Sequence, residues 1–127
     1  MFRRFVVSGC LVVAATSLVG ASPASASLAT DWTTVSAGGG HTCAIRSVGK
    51  LYCWGSDVYG QVGNGATTGD VTSPVQITSA TDWKSVSAAG HTCAIRSTGK
   101  LYCWGDDSNG QVGNGATTGN VTEPHQV

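Results

Sequence analysis

Strand-sized apolar pieces recur with a period of about fifty residues, glycine is abundant and charge is scarce; together these predict an all-β fold, two four-stranded blades of a β-propeller. The repeat is the strongest of the three signals. Residues 41–77 align without gaps onto residues 91–127, and 29 of those 37 positions are identical. Only 11% of the 127 residues are charged, roughly half the usual quarter. Of the 18 glycines, 16 lie beyond residue 26, about twice the background frequency. Such a composition suits short strands joined by tight turns and excludes a long charge-laced helix.

Residues 1–26 read as a signal peptide outside the fold. Met1–Arg4 is cationic, Phe5–Gly20 is apolar and small, and Ala24-Ser25-Ala26 supplies the small residues that a signal peptidase requires. The apolar run contains Ser8, Gly9, Thr16 and Ser17 and is short against the roughly 20 residues of a membrane helix, so no membrane span is expected. Val7-Ser8-Gly9-Cys10 is similar to a lipobox, but the more hydrophobic stretch Leu11–Ala15 follows that motif instead of preceding it. Cys10 therefore reads as apolar filler within the signal. Export implies a secreted or extracellular protein, with association at the cell surface left open. Loss of Arg3 and Arg4 leaves 5 basic residues against 7 acidic ones, without the basic stripe of a nucleic-acid surface. Nucleic acid is not an expected partner.

The remainder divides into propeller-type repeat 1, residues 27–78, and repeat 2, residues 79–127. Within the first, the strand signals fall at Trp32–Ser36, Thr42–Arg46, Lys50–Trp54 and, after a long glycine-rich loop, Pro74–Ile77. Asp31–Ala37 matches Asp82–Ala88, but Gly38-Gly39-Gly40 has one residue more than Ala89-Gly90. An insertion there marks a connecting loop.

Taking Ser47-Val48-Gly49 as a three-residue hairpin loop puts glycine where a type I turn with a G1 bulge needs positive φ. The register then pairs Arg46 with Lys50, Ile45 with Leu51, Ala44 with Tyr52 and Cys43 with Cys53. The two cysteines fall on a non-hydrogen-bonded position, where Cα atoms approach to about 4.5 Å, within the range of a disulfide. The same register opposes Cys93 to Cys103. Of the 5 cysteines, Cys10 leaves with the signal, and four remain for an oxidising environment. The spacing across the hairpin is not that of a zinc knuckle, so no metal is expected.

Trp54-Gly55-Ser56-Asp57-Val58-Tyr59-Gly60-Gln61-Val62-Gly63-Asn64-Gly65, and its copy from Trp104 to Gly115, resemble the W-G-x-N-x-x-G-Q-L-G-x-G signature of the regulator of chromosome condensation repeat family. The V-S-A-G, H-T-x-A and G-K-L-Y-x-W-G pieces upstream are similar as well, so the resemblance spans residues 31–127. Val62 and Val112 stand where the family usually has leucine, and Asp57 and Asp107 where asparagine is commoner. The cysteine pair suggests an exported bacterial-type variant. The resemblance implies a propeller, commonly of seven blades. The guanine-nucleotide exchange of the founding member does not carry over, because no matching residue stands outside the scaffold motif.

Little else in the chain suggests chemistry. His41 and His91 beside glycine turns read as structural hydrogen-bonding groups, and no G-x-S-x-G elbow is present. Gly60–Gly65 opens no helix and so makes a poor phosphate cradle. Asp106-Asp107-Ser108-Asn109-Gly110 lacks the spaced ligands and the terminal glutamate of a calcium loop. Trp32, Trp54, Trp83 and Trp104 read as blade packing. No catalysis and no cofactor are expected.

The repeats differ at eight aligned positions, and three of them, Ser56/Asp106, Val58/Ser108 and Tyr59/Asn109, lie in one loop after the Trp-Gly pair. A fixed scaffold with variable tips suits loop-mediated binding, although drift at exposed turns gives the same pattern. Val58, Tyr59, Ser108 and Asn109 are thus the candidate binding residues. The expected function is a non-catalytic module that binds an extracellular protein or a cell-surface component. The rival is an inhibitor or accessory domain whose loops cap the active site of a secreted hydrolase. Two blades leave two outer faces bare, so the sequence reads either as a fragment of a six- to eight-bladed propeller or as a homo-oligomer, in which three or four copies would close the ring.

Overall fold

A computed structural model of the chain describes residues 28–117 and 119–127. The expected signal peptide, with Cys10, lies outside the described residues. Eight strands form two antiparallel sheets. The first holds β1 (Trp32–Ala37), β2 (His41–Arg46), β3 (Leu51–Gly55) and β4 (Val71–Gln76); the second holds β5 (Trp83–Ala88), β6 (His91–Arg96), β7 (Leu101–Asp106) and β8 (Asn120–Gln126). In each sheet the spatial order follows the chain. These are two four-stranded propeller blades.

The β2–β3 hairpin has the register that its turn dictates. Ile45 faces Leu51, Ala44 faces Tyr52 and Cys43 faces Cys53, with Gly49 at φ 73° closing the turn. Cys43–Cys53 and Cys93–Cys103 are both disulfides, each with a Cα separation of 4.1 Å. Asp31 ties the start of β1 to this turn by accepting from Arg46 Nε at 2.7 Å and Ser47 Oγ at 2.9 Å.

The fourth strand begins earlier than Pro74, where the sequence places it. Pro74 has no N–H to give a ladder, and β4, an edge strand of its sheet, tolerates it there. The pairing of β3 with β4 shifts between Cys53 and Gly55 and resumes at Val71, opposite Gly55. The strand is longer and the preceding loop shorter than expected.

The alternation of side chains decides how the blades meet. Cys43, Ile45, Leu51, Cys53 and Ile77 share one face of blade 1 and form a buried cluster with Val62, Trp83, Ala94 and Trp104. The first disulfide therefore lies inside the core between blades. The equivalent face of blade 2 is open: Ile45 and Leu51 are 2% and 0% exposed, whereas Ile95 and Leu101 are 40% and 37% exposed.

Candidate functional site

At the end of the blades opposite the β2–β3 and β6–β7 turns, the β1–β2 and β5–β6 connections meet the long loops that follow β3 and β7. A cleft of about 260 Å³ opens here, lined by Gly39, Gly40, Ser56, Val58, Tyr59, Gln61, Ala89, Gly90 and Asp106. It joins the two blades at their loop ends.

The loop on one wall is held from within. Gly60 N donates to Asp57 O at 3.0 Å, Val62 N donates to the Asp57 carboxylate at 3.0 Å, and Tyr59 N donates to Gln61 Oε1 at 2.8 Å. Gln61 Nε2 reaches Ser56 Oγ at 3.3 Å. The loop is also held from without. Gln61 O accepts from the Thr92 hydroxyl at 2.7 Å and from Trp104 Nε1 at 3.0 Å. Because Thr92 spends its proton on Gln61, it accepts from His41 Nε2 at 2.7 Å, so the recurring histidine is a structural donor in a buried chain of hydrogen bonds. Burial, with the nearby His91 charge, holds the His41 imidazole below its ordinary value.

On this base Val58 and Tyr59 stand 52% and 51% exposed. Rotamer-poor aromatic area on a fixed turn suits it to protein contact, since little entropy is lost on ordering it. Asn120 Nδ2 lies 3.4 Å from Val58 O, which brings blade 2 beside the same tip. Burial pushes the Asp57 carboxyl up, against the Val62 amide that holds it down.

The loop of blade 2 repeats the geometry with a polar tip. Asn109 N donates to Gln111 Oε1 at 2.8 Å and Ser108 N to Asp106 Oδ1 at 3.0 Å. The Ser108 amide is the main cause that keeps the Asp106 carboxyl below its ordinary range. Ser108 and Asn109 are exposed but do not line the cleft, to which blade 2 contributes Asp106, Ala89 and Gly90 instead. The two loop pairs are thus equivalent in their repeats without forming one site. The cleft itself escaped the sequence reading. Its trace was the glycine insertion at residues 38–40, which marks a loop without saying what faces it. Among the described residues, no group of three or more His, Cys, Asp or Glu is placed to hold a metal ion.

Models of the regulator of chromosome condensation (RCC1) repeat match residues 32–61 and 85–111 in one case and residues 48–95 in another. The chain belongs to this repeat family. The ultraviolet-B receptor UVR8 of Arabidopsis thaliana is 46% identical over 55 residues, 43% of this chain and 12% of the receptor. Among solved structures, Prp20p of Saccharomyces cerevisiae, described with its binding to Gsp1p and histones, matches with a TM-score of 0.69 and 24% identity. Human WBSCR16 matches with a TM-score of 0.69 and 22% identity. Yeast RCC1 (Prp20) bound to Kap60 matches with a TM-score of 0.70 and 23% identity. Each match covers 76% of this chain but only 24% to 25% of the other. The two blades here have the fold of these RCC1-repeat structures.

Proposed function

We propose that this RCC1-repeat chain is an exported, non-catalytic module that binds an extracellular protein or cell-surface component through the Val58–Tyr59 loop and the cleft beside it. The observation that carries this reading is the exposed Val58–Tyr59 pair, fixed from below by Gln61 and ending in Ser108 and Asn109 in the other repeat. Export is supported by the signal-like residues 1–26 and by two disulfides, which persist in oxidising compartments. Among the described residues no helix is long and apolar enough to cross a membrane.

The test is photo-crosslinking from position 59 in the culture medium of the producing cells, with the same crosslinker at Lys84 as control. A discrete adduct at position 59, lost when Val58→Ser is added and absent at Lys84, is the expected result. Equal adducts at both positions, or none at position 59, would overturn the reading.

A further inference from the structure

Charge is sorted along the blades. Beyond residue 26 the chain holds Arg46, Lys50, Lys84, Arg96 and Lys100, and all of them lie at the turn end. Arg46 and Lys50 flank one hairpin turn, Arg96 and Lys100 flank the other, and Lys84 follows Trp83, which pairs with Arg96. Among the described residues, the loop end where the cleft opens carries no Lys or Arg. It carries Asp57, Asp70, Asp106 and Asp107 instead. Asp57 and Asp107 are buried, and Asp70 stands outside the cleft, whereas Asp106 lines it. One Asp106 oxygen accepts from Ser108 N at 3.0 Å, and neither ion pair among the described residues involves this carboxylate. The cleft thus holds a fixed anion with no cation of its own.

At the turn end the chain shows twice how it holds a guanidinium. Asp31 accepts from Arg46 at 2.7 Å while the Arg46 guanidinium lies 6.0 Å from the Trp32 ring centre. Asp82 pairs with Arg96 at 2.6 Å, and that guanidinium lies 5.8 Å from the Trp83 ring centre and 6.0 Å from that of Tyr102. In each case a carboxylate accepts the N–H groups and an aromatic face attracts the cation. The cleft presents the same two components, Asp106 from blade 2 and Tyr59 from blade 1. Both are positions at which the repeats differ: Asp106 corresponds to Ser56, and Tyr59 to Asn109. The acid and the aromatic meet because blade 1 precedes blade 2, and both walls of the cleft belong to these two blades.

We infer that the cleft takes an arginine side chain of the partner protein, its guanidinium paired with the Asp106 carboxylate and its plane against Tyr59. The inference rests on the binding role proposed above for the Val58–Tyr59 loop, and it names the chemistry that this loop recognises. Size favours a side chain over a free small molecule, because the cleft of about 260 Å³ falls below the roughly 300 to 1,000 Å³ of small-molecule pockets. Arginine is favoured over lysine because a planar guanidinium meets a carboxylate and a ring together, whereas an ammonium is a compact, strongly hydrated charge. An acidic segment would meet only carboxylates at this end.

Amide NMR titrations on the oxidised full chain test the inference, with acetyl-Gly-Arg-Gly-amide as probe. The control is its citrulline analogue, in which a neutral urea replaces the guanidinium. The arginine peptide should shift the Gly39, Gly40 and Gly90 amides saturably, and the citrulline peptide should bind roughly tenfold more weakly. Asp106→Ser should weaken the arginine peptide about fivefold and Tyr59→Asn about threefold. Each substitution installs the residue that the other repeat holds at that position, so the loop geometry persists; should Asp106→Ser fail to fold, Asp106→Asn replaces it. Asp70→Asn removes a charge from the same end outside the cleft and should leave binding unchanged. No saturable shift, equal binding of the two peptides, a lysine peptide that binds more tightly than the arginine one, or equal losses in Asp106→Ser and Asp70→Asn would each overturn the inference. Photo-crosslinking from position 59 separates it from the binding role. An adduct undiminished by Asp106→Ser overturns the arginine site and leaves that role standing, whereas selective peptide binding without any adduct overturns the role and leaves the site.

Discussion

The indole of Trp104 lies directly against Gly63. A Cβ built on that glycine would stand 2.4 Å from the indole Nε1, and the same nitrogen donates to Gln61 O at 3.0 Å. The glycine of one blade and the tryptophan of the next thus form one packing unit. Gly63 also holds φ at +83°, so a side chain there meets both a collision and backbone strain. Gly63→Ala should cost about 2 to 5 kcal/mol, the sum of overpacking and left-handed strain. Gly113→Ala is the control: its φ is +78°, but its nearest contact is the Val127 Cγ1 at 3.2 Å, and it should cost about 1 kcal/mol. Thermal melts on the two variants check the difference. Equal losses would mean that the tryptophan yields.

Asp57 is wholly buried, and its Oδ2 finds no hydrogen-bond partner among the described residues. Burial raises its carboxyl above the ordinary value. An acid whose pKa is raised on folding contributes most below its unfolded value, about 3.9, and that contribution is lost as pH rises through the folded value. Asp57→Asn keeps the acceptor for Val62 N and removes the buried charge. It should therefore stabilise the protein at pH 7 by about 1 kcal/mol, the gain shrinking toward pH 4. Paired urea titrations at pH 4 and pH 7 would decide; a variant less stable than wild type at pH 7 would contradict the account.

His41 carries the opposite sign. Its imidazole is held below the ordinary value of about 6.5, first by burial and then by His91. The unfolded chain binds a proton before the folded one does, so stability is complete above about pH 6.5 and falls as pH drops below it. The limit for a single group is about 1.4 kcal/mol per pH unit. His41→Gln retains an N–H donor for Thr92 without a titrating ring. The difference between wild-type and variant stability, followed from pH 8 to pH 5, should change sharply below about 6.5; a pH-independent difference would remove His41 from the linkage. Taking the difference cancels the titration of Asp57.

How much of this was legible depended on whether a signal was local. The hairpin register follows from three turn residues and a period of two, so Cys43 opposite Cys53 could be read from spacing alone, and the Trp-Gly to Gly65 motif identified the blade. The start of β4 could not be read, because its pairing resumes at Val71 only after an irregularity opposite Gly55 that no residue type announces. The partnership of His41, Thr92 and Gln61 was equally hidden. It spans 51 residues between His41 and Thr92, and the identity of the repeats shows that two positions are equivalent without showing which copy touches which. The cleft was lost for the same reason, since Asp106 and Ser56 reach it from different blades.

That asymmetry between equivalent positions gives a last prediction. Both disulfides join cysteines separated by 10 residues, so each removes the same loop entropy from the unfolded chain, about 2 to 3 kcal/mol. Their folded environments differ. Cys43 and Cys53 are wholly buried in the cluster beneath blade 2; in the second pair Cys103 is buried as well, at 4% exposure, but Cys93 is half-buried and lines the groove along the open face of blade 2. Replacing Cys43 and Cys53 together by alanine forfeits the entropy and also leaves a void against Trp83 and Trp104. Replacing Cys93 and Cys103 forfeits mainly the entropy, because that open face can relax into solvent. The first double variant should be the less stable by about 1 to 2 kcal/mol. Urea midpoints of the two double variants measure the difference directly; equal midpoints would mean that the disulfide core is no better packed than the open face.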